Sequence, residues 1–250
     1  MTTVRAPAKL TRSLRIVGTR SDGYHLLDTE MVTLELADVL TFSTGDGLTV
    51  TGPRAAGVPT DDDNLVRRAL RAVDRTARVH VEKRIPSGAG LGGGSADAAA
   101  VLRWAECDDV TVAAALGADV PFCVVGGRAR VGGMGEVVEP LDWIDLAFTL
   151  CTPPLEVSTP AVYAKWDAMG GPTAQGPNDL EPAALAVEPR LAEWRDRLAD
   201  ETGRPPVLTG SGSTWFVEGA FPDISAALLP AGVVVTRTDR PEGSPSERSA

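Results

Sequence analysis

The sequence predicts an α+β protein built as two domains, and three observations predict it. Residues 1 to about 51 read as strands, a glycine-rich loop at 86–97 joins a strand pattern to a helix pattern, and a new strand-and-helix series begins near Asp145. A chain of 250 residues can close one large core or two small ones. The break in pattern favours two, at 1–145 and 146–240, with a polar Pro/Gly/Ser-rich tail at 241–250 that predicts disorder.

In chain order, strands are expected around Leu10–Val17, Thr29–Leu36 and Val39–Phe42, followed by a turn at TGDG, residues 44–47. The polar run PRAAGVPTDDD leads into NLVRRALRAVDRTA, a helix pattern with Leu65, Ala69, Ala72 and Val73 on one face. Asp61, Asp62 and Asp63 are its expected cap, where carboxylates favour the positive helix end, and the arginines opposite form a solvated face. VHVEKRI alternates as a strand through Val79, Val81 and Ile85, and the Ala-rich SADAAAVLRWA favours helix. LGADVPF follows, then GGRARVGGMGE, whose glycines suggest a second tight turn near the same site. Beyond Asp145, DLAFTLCTP is expected as a strand and STPAVYAKWDAM and PRLAEWRDRLADE as helices. Pro205–Phe216 and Gly232–Thr238 supply further strands, with TGSGST as a small-residue turn.

Composition excludes several classes. Thirty-four acidic against 24 basic side chains give a net charge of −10, which argues against general nucleic-acid affinity and means that an anionic ligand must be met by local positive groups. Cys107, Cys123 and Cys151 are widely spaced and odd in number, and the chain has only two histidines, so neither a disulfide framework nor a zinc site is supported. Buried thiols are expected instead. No apolar run approaches the roughly 18 residues of a membrane span, and MTTVRAPAKL lacks the apolar core of a signal peptide. A cytoplasmic location, with no membrane partner, is the expectation.

The richest chemistry lies in PSGAGLGGGSAD, Pro86 to Asp97, which packs five glycines into the seven residues from Gly88 to Gly94. Without Cβ atoms the backbone can bend sharply and bring several N–H groups against an anion, and the positive end of the following helix faces the same spot. The loop is built to hold phosphate. A Walker loop would need Gly-Lys-Ser/Thr, whereas Gly94 is followed by Ser95 and Ala96. Gly88, Gly90 and Gly93 fit the dinucleotide spacing, and Asp108 and Asp109 lie near the distance of a ribose ligand, but the loop does not follow a first strand.

Four further motifs give the loop a context. APAKL (Ala6–Leu10), PSGAGLGGGSAD and TGSGSTWF (Thr209–Phe216) resemble, in order, the three motifs of the GHMP small-molecule kinases. DGYHLLDT (Asp22–Thr29) and LGADVPF (Leu116–Phe122) are similar to the branch acting on 4-diphosphocytidyl-2-C-methyl-D-erythritol in non-mevalonate isoprenoid precursor biosynthesis. The triple glycine before Ser95 also matches that branch better than relatives reading GLGSS, and the resemblance runs from about Ala6 to Val217. It implies a ribosomal-protein-S5-like N-terminal domain and a ferredoxin-like C-terminal one. ATP would lie against the glycine loop, and a small molecule carrying a cytidine diphosphate group in the cleft between domains.

The resemblance also implies roles. Asp119 matches the catalytic base that takes the substrate hydroxyl's proton, and Lys9 the lysine paired with it. Pro86, Gly88, Gly90, Leu91, Gly92, Gly93, Gly94 and Ser95 would hold the phosphates of ATP, with Asn64 and Lys83 lining the adenosine pocket. Asp97 is either a ligand-side carboxylate or a first-turn partner of the helix dipole. Mg²⁺ should arrive with ATP, with Ser95 its candidate ligand and no dedicated carboxylate cluster visible. Tyr24 and Tyr163, the chain's two tyrosines, match the rings that sandwich cytosine, and His25 the residue that reads its polar edge. Thr11, Met134, Thr159, Gly210 and Ser211 complete the implied substrate site.

Three departures stand against that pattern. Thr11 replaces an asparagine and has less reach, and the segment before Leu116 is short by about one helix. Arg12 occupies an expected apolar position, from which it could snorkel to the surface or meet the diphosphate. Two other readings therefore stay open: a GHMP kinase for another small alcohol, and a paralogue that binds nucleotide or metabolite without transferring phosphate.

Overall fold

The structure is a computed structural model describing residues 1–224 and 228–240; the tail expected at 241–250 lies outside the described residues. Its first sheet is organised by β1 (Thr2–Thr19) and β2 (His25–Ser43), one long antiparallel hairpin. Where short strands are expected, the structure has two long ones that bend instead of ending. Their register shifts between Pro7 and Lys9, between Thr11 and Ser13, and between Ile16 and Gly18. Thr11 pairs with Met31 and Ser13 with Glu30, so Arg12 is the extra residue of a bulge. Bulges twist a strand and re-aim its side chains, and here they flank Lys9 and Thr11.

With β3 (Gly47–Thr51), β4 (Arg78–Glu82), β5 (Arg128–Gly133) and β6 (Val137–Leu141), the order is β3-β4-β2-β5-β6, with β1 pairing β2 off this path. Four helices accompany the sheet: α1 (Leu65–Ala72), α2 (Gly93–Trp104), α3 (Val110–Leu116) and α4 (Val120–Val125). The buried Ala96, Ala98, Ala99 and Ala100 let α2 lie deep in the core beside Leu10, Leu34 and Ile85. The cap of α1 is Asn64, whose side-chain oxygen accepts from the Val66 N–H at 2.8 Å, in place of the expected aspartates. Asp62 instead pairs with Arg67 and Arg71 at 3.0 and 2.7 Å. The buried face of α1 is Val66, Ala69 and Leu70, and Ala72 is exposed.

The second sheet, β10-β7-β9-β8, is antiparallel throughout and comprises β7 (Ala147–Thr152), β8 (Val207–Leu208), β9 (Trp215–Glu218) and β10 (Gly232–Arg237). It packs with α5 (Thr159–Ala168), α6 (Glu181–Val187) and α7 (Leu191–Thr202) around Trp166, Leu180, Leu198 and Trp215. The expected strand over Pro205–Phe216 reduces to β8, a turn, and the start of β9. Cys123 and Cys151 are buried thiols, which burial pushes up to about 12, and Cys107 is half-buried.

The two halves interlock. Phe148, Leu150 and Phe216 of the second sheet belong to the core of the first. Residues 177–179 run beside β1, with the Leu14 N–H donating to the Pro177 carbonyl at 2.8 Å and the Asp179 N–H to the Leu14 carbonyl at 2.9 Å. Arg12 does not line the cavity: partly exposed, it bridges Glu30 on β2 and Glu218 on β9. Among the described residues no helix is long and apolar enough to cross a membrane.

Candidate active site

A cavity of about 820 Å³ opens where β1, the glycine loop, the start of α4, α5 and the 209–214 turn converge. Lys9 reaches it from the irregular part of β1. Its Nζ lies 3.3 Å from Asp119 Oδ2 and donates to Thr11 Oγ1 at 3.1 Å. Its side chain is 6% exposed, so the ammonium has given up water and depends on those partners, whereas Asp119, at 32%, keeps an open face. Thr11 is fixed in turn by its N–H, which donates to Thr209 Oγ1 at 3.0 Å.

The glycine loop is pressed against both. Gly92 caps α2 with φ of +68°, and a Cβ there would stand 2.7 Å from Lys9 Cγ. A Cβ on Gly90 would lie 2.6 Å from the Thr209 carbonyl oxygen and 3.0 Å from that of Gly212. Gly93, Gly94 and Ser95 open the helix and line the cavity, so its unpaired first-turn N–H groups are available to an anion. Pro86, Gly88, Gly90 and Gly92 line the same wall. Leu91 does not: it is buried in the core, and its carbonyl accepts from the Lys9 N–H at 3.0 Å.

Behind the loop sits a buried ionic cluster. Lys83 Nζ contacts Asp38 and lies 2.7 Å from Asp97 Oδ2. Asp38, fully buried, also accepts from the Ile85 N–H at 2.9 Å, while Asp97 Oδ1 is buried with no partner among the described residues. Burial pushes the Asp97 carboxyl up to about 7 against the pull of Lys83, with the Asp38 charge adding to the rise. Lys83, Asp97 and Asn64 all line the cavity, but the Asn64 side chain is spent on capping α1 and on donating to the Pro59 carbonyl at 2.6 Å.

The other end of the cavity is aromatic. The His25 ring lies 4.9 Å from that of Tyr163 and edge-on to Trp166 at 5.4 Å. Burial, then the Asp119 charge, pushes the Tyr163 phenol up to about 12, which ties this end electrostatically to the Lys9–Asp119 pair. Tyr24 stands at the wall, 62% exposed, with Met134 also lining the cavity. Ser211 Oγ and Thr159 Oγ1 are 2.7 Å apart, so the turn carrying Gly210 and Ser211 is joined to α5.

Apart from Leu91, the residues picked out from the sequence therefore share one cavity. Sequence reasoning missed Asp38, Asn178 and Asp167, whose Oδ1 lies 2.8 Å from His25 Nε2, and it named Thr209 only as the start of the TGSGSTWF motif. Asn178 is 1% exposed and donates to the carbonyls of Leu208 and Gly210 at 2.8 and 2.7 Å, fixing the turn. Only the polar pair Asn178–Asp179 ahead of a helix could have signalled it. No group of three or more His, Cys, Asp or Glu side chains among the described residues could hold a metal ion.

Residues 64–127 match the family model described as the GHMP kinases N terminal domain. The chain is 39% identical over 231 residues, 84% of each chain, to the 4-diphosphocytidyl-2-C-methyl-D-erythritol kinase of Paracoccus denitrificans (strain Pd 1222). It is 39% identical over 265 residues to the enzyme of the same name from Dinoroseobacter shibae (strain DSM 16493 / NCIMB 14021 / DFL 12), covering 93% of this chain and 90% of that one. A crystal structure of 4-(cytidine 5'-diphospho)-2C-methyl-D-erythritol kinase matches with a TM-score of 0.74 at 33% identity, covering 96% of this chain and 100% of the other. A mevalonate kinase crystal structure matches with a TM-score of 0.60 at 10% identity, a likeness of fold alone.

Proposed function

The chain belongs to the 4-diphosphocytidyl-2-C-methyl-D-erythritol kinase family of the GHMP kinases, and on that premise we propose that it phosphorylates this compound with ATP in isoprenoid precursor biosynthesis. The observation that carries the reading is the Lys9–Asp119 pair, in one cavity with the open N-terminus of α2. Asp119 takes the proton of the substrate hydroxyl as its oxygen attacks the γ-phosphorus; the bond to the β-phosphate oxygen breaks and ADP leaves. Lys9 keeps Asp119 oriented and offers positive charge to the phosphoryl oxygens. Gly88, Gly90 and Gly92 to Ser95 cradle the phosphates, with Lys83 and Asn64 on the adenosine side.

Tyr24 and Tyr163 hold the cytosine by stacking, worth about 1–3 kcal/mol per base, and His25 meets its polar edge. Thr11, Met134, Thr159, Gly210 and Ser211 bound the methylerythritol diphosphate. Mg²⁺ would neutralise the β- and γ-oxygens of ATP. Ser95, which lines the cavity and whose hydroxyl has no hydrogen-bond partner among the described residues, fits as its protein ligand.

A coupled ADP-release assay with Mg-ATP tests the reading, run on the cytidine compound beside mevalonate, homoserine and galactose. Turnover confined to the cytidine compound is expected. Turnover of another alcohol in its place would name a different substrate, and inertness of folded protein toward all four would overturn the assignment.

A further inference from the structure

The ring of His25 lines the cavity, yet one of its nitrogens is already committed: Nε2 lies 2.8 Å from Oδ1 of Asp167. Nδ1 has no hydrogen-bond partner among the described residues and is not sealed from solvent. Asp167 sits on α5 four residues after Tyr163, so the helix that supplies an aromatic wall also supplies the carboxylate. An ionised carboxylate only accepts hydrogen bonds. Nε2 must therefore carry the hydrogen, and Nδ1 of the neutral ring is left as a bare acceptor. Among the described residues, the ring contacts and the hydrogen bond to His25 come from Tyr163, Trp166 and Asp167. Tyr163 stays an uncharged phenol, its ionisation pushed up to about 12, so Asp167 is the charged group that dictates the tautomer.

We propose that Asp167 is the positioning residue that sets base specificity, by fixing His25 as an acceptor that takes a pyrimidine presenting an amino group and refuses one presenting a carbonyl. The inference rests on the proposed placement of the base against His25. Cytosine offers its N4 amino hydrogens to Nδ1, whereas uracil carries an oxygen at that position and would set two lone pairs against each other. A site built to receive a donor discriminates strongly against an analogue without one, because its own acceptor is left unpaired.

The test compares kcat/KM for the cytidine and uridine diphosphate forms of the methylerythritol substrate in wild type, Asp167→Asn and Asp167→Ala. Asparagine can turn either its oxygen or its amide hydrogens toward Nε2, and alanine offers neither, so both release the tautomer. Asp167 is 54% exposed in its side chain, and neither change threatens the fold. Each variant should lower the cytidine-over-uridine ratio by about tenfold, with the uridine form gaining as the cytidine form loses. A merely structural role would raise KM for both forms alike; an unchanged ratio in variants of an otherwise active enzyme overturns the inference and leaves the kinase reading intact. Wild type inert with both forms overturns the kinase reading and the inference with it. The chain has only two histidines, so ¹⁵N spectra of the imidazoles give an independent reading. The Nε2–H tautomer is expected for His25 at pH 8, and an Nδ1–H or doubly protonated ring in the wild type would overturn the proposal.

Discussion

At Lys9 one ammonium serves Asp119 and Thr11 at once, and the residue that remains open to the cavity is the carboxylate. Asp119→Asn keeps shape and removes the proposed proton acceptor, so turnover should fall by roughly 10²–10⁴ while the protein stays folded. Steady-state kcat beside thermal melting checks this, and near-normal turnover would remove Asp119 from the mechanism. Asp97 makes a different prediction, because burial raises its carboxyl to about 7. Between about pH 4 and pH 7 the folded chain then holds a proton that the unfolded chain has released, and stability falls as pH rises through that window. Asp97→Asn abolishes the slope. Its melting temperature should exceed that of wild type by clearly more at pH 8 than near pH 4; an equal offset at both values would show that Asp97 does not titrate there.

At the scale of elements, the turn at 209–214 is held by a neighbour from another part of the chain. Asn178→Ala strips the partners from the carbonyls of Leu208 and Gly210 and from the Leu180 N–H, which should cost about 2–4 kcal/mol in denaturant unfolding. A loss below about 1 kcal/mol would mean that the turn holds itself. Such long-range ties explain what the sequence did and did not disclose. The glycine loop, α2 and the cavity-facing Lys9, Asp119, Tyr163 and His25 were legible because motif order and local pattern mark them. The length of the β1–β2 hairpin was not, since bulges interrupt the alternation while hydrogen bonding continues. The cap of α1 was misplaced because three aspartates precede Asn64 and any of these residue types can cap. Leu91 was drawn into the phosphate loop by its position among glycines, although its apolar side chain has nothing to offer an anion and turns into the core. Asp38 and Asp167 act across 45 and 142 residues of sequence, distances over which no local pattern reports.

Across the whole molecule, we propose residues 1–145 and 146–240 as the two domains, joined by the shared core at Phe148, Leu150 and Phe216 and by the Arg12 bridge. That bridge lies outside the cavity, and Arg12 Nε is buried without a partner. Arg12→Met fills similar space, and Glu30 keeps Arg128 at 2.9 Å, so the variant should retain kcat/KM within about threefold and lose little stability. A large loss would show that the charge, not the volume, joins the halves. At one place those halves meet without side chains: Gly90 faces the carbonyls of Thr209 and Gly212, with no room for a methyl group. An inhibitor bound in the cavity against that seam would meet main chain from both sides. Resistance by substitution would then be hard to evolve, because a side chain introduced at Gly90 would evict the inhibitor only by prising apart the enzyme's own seam.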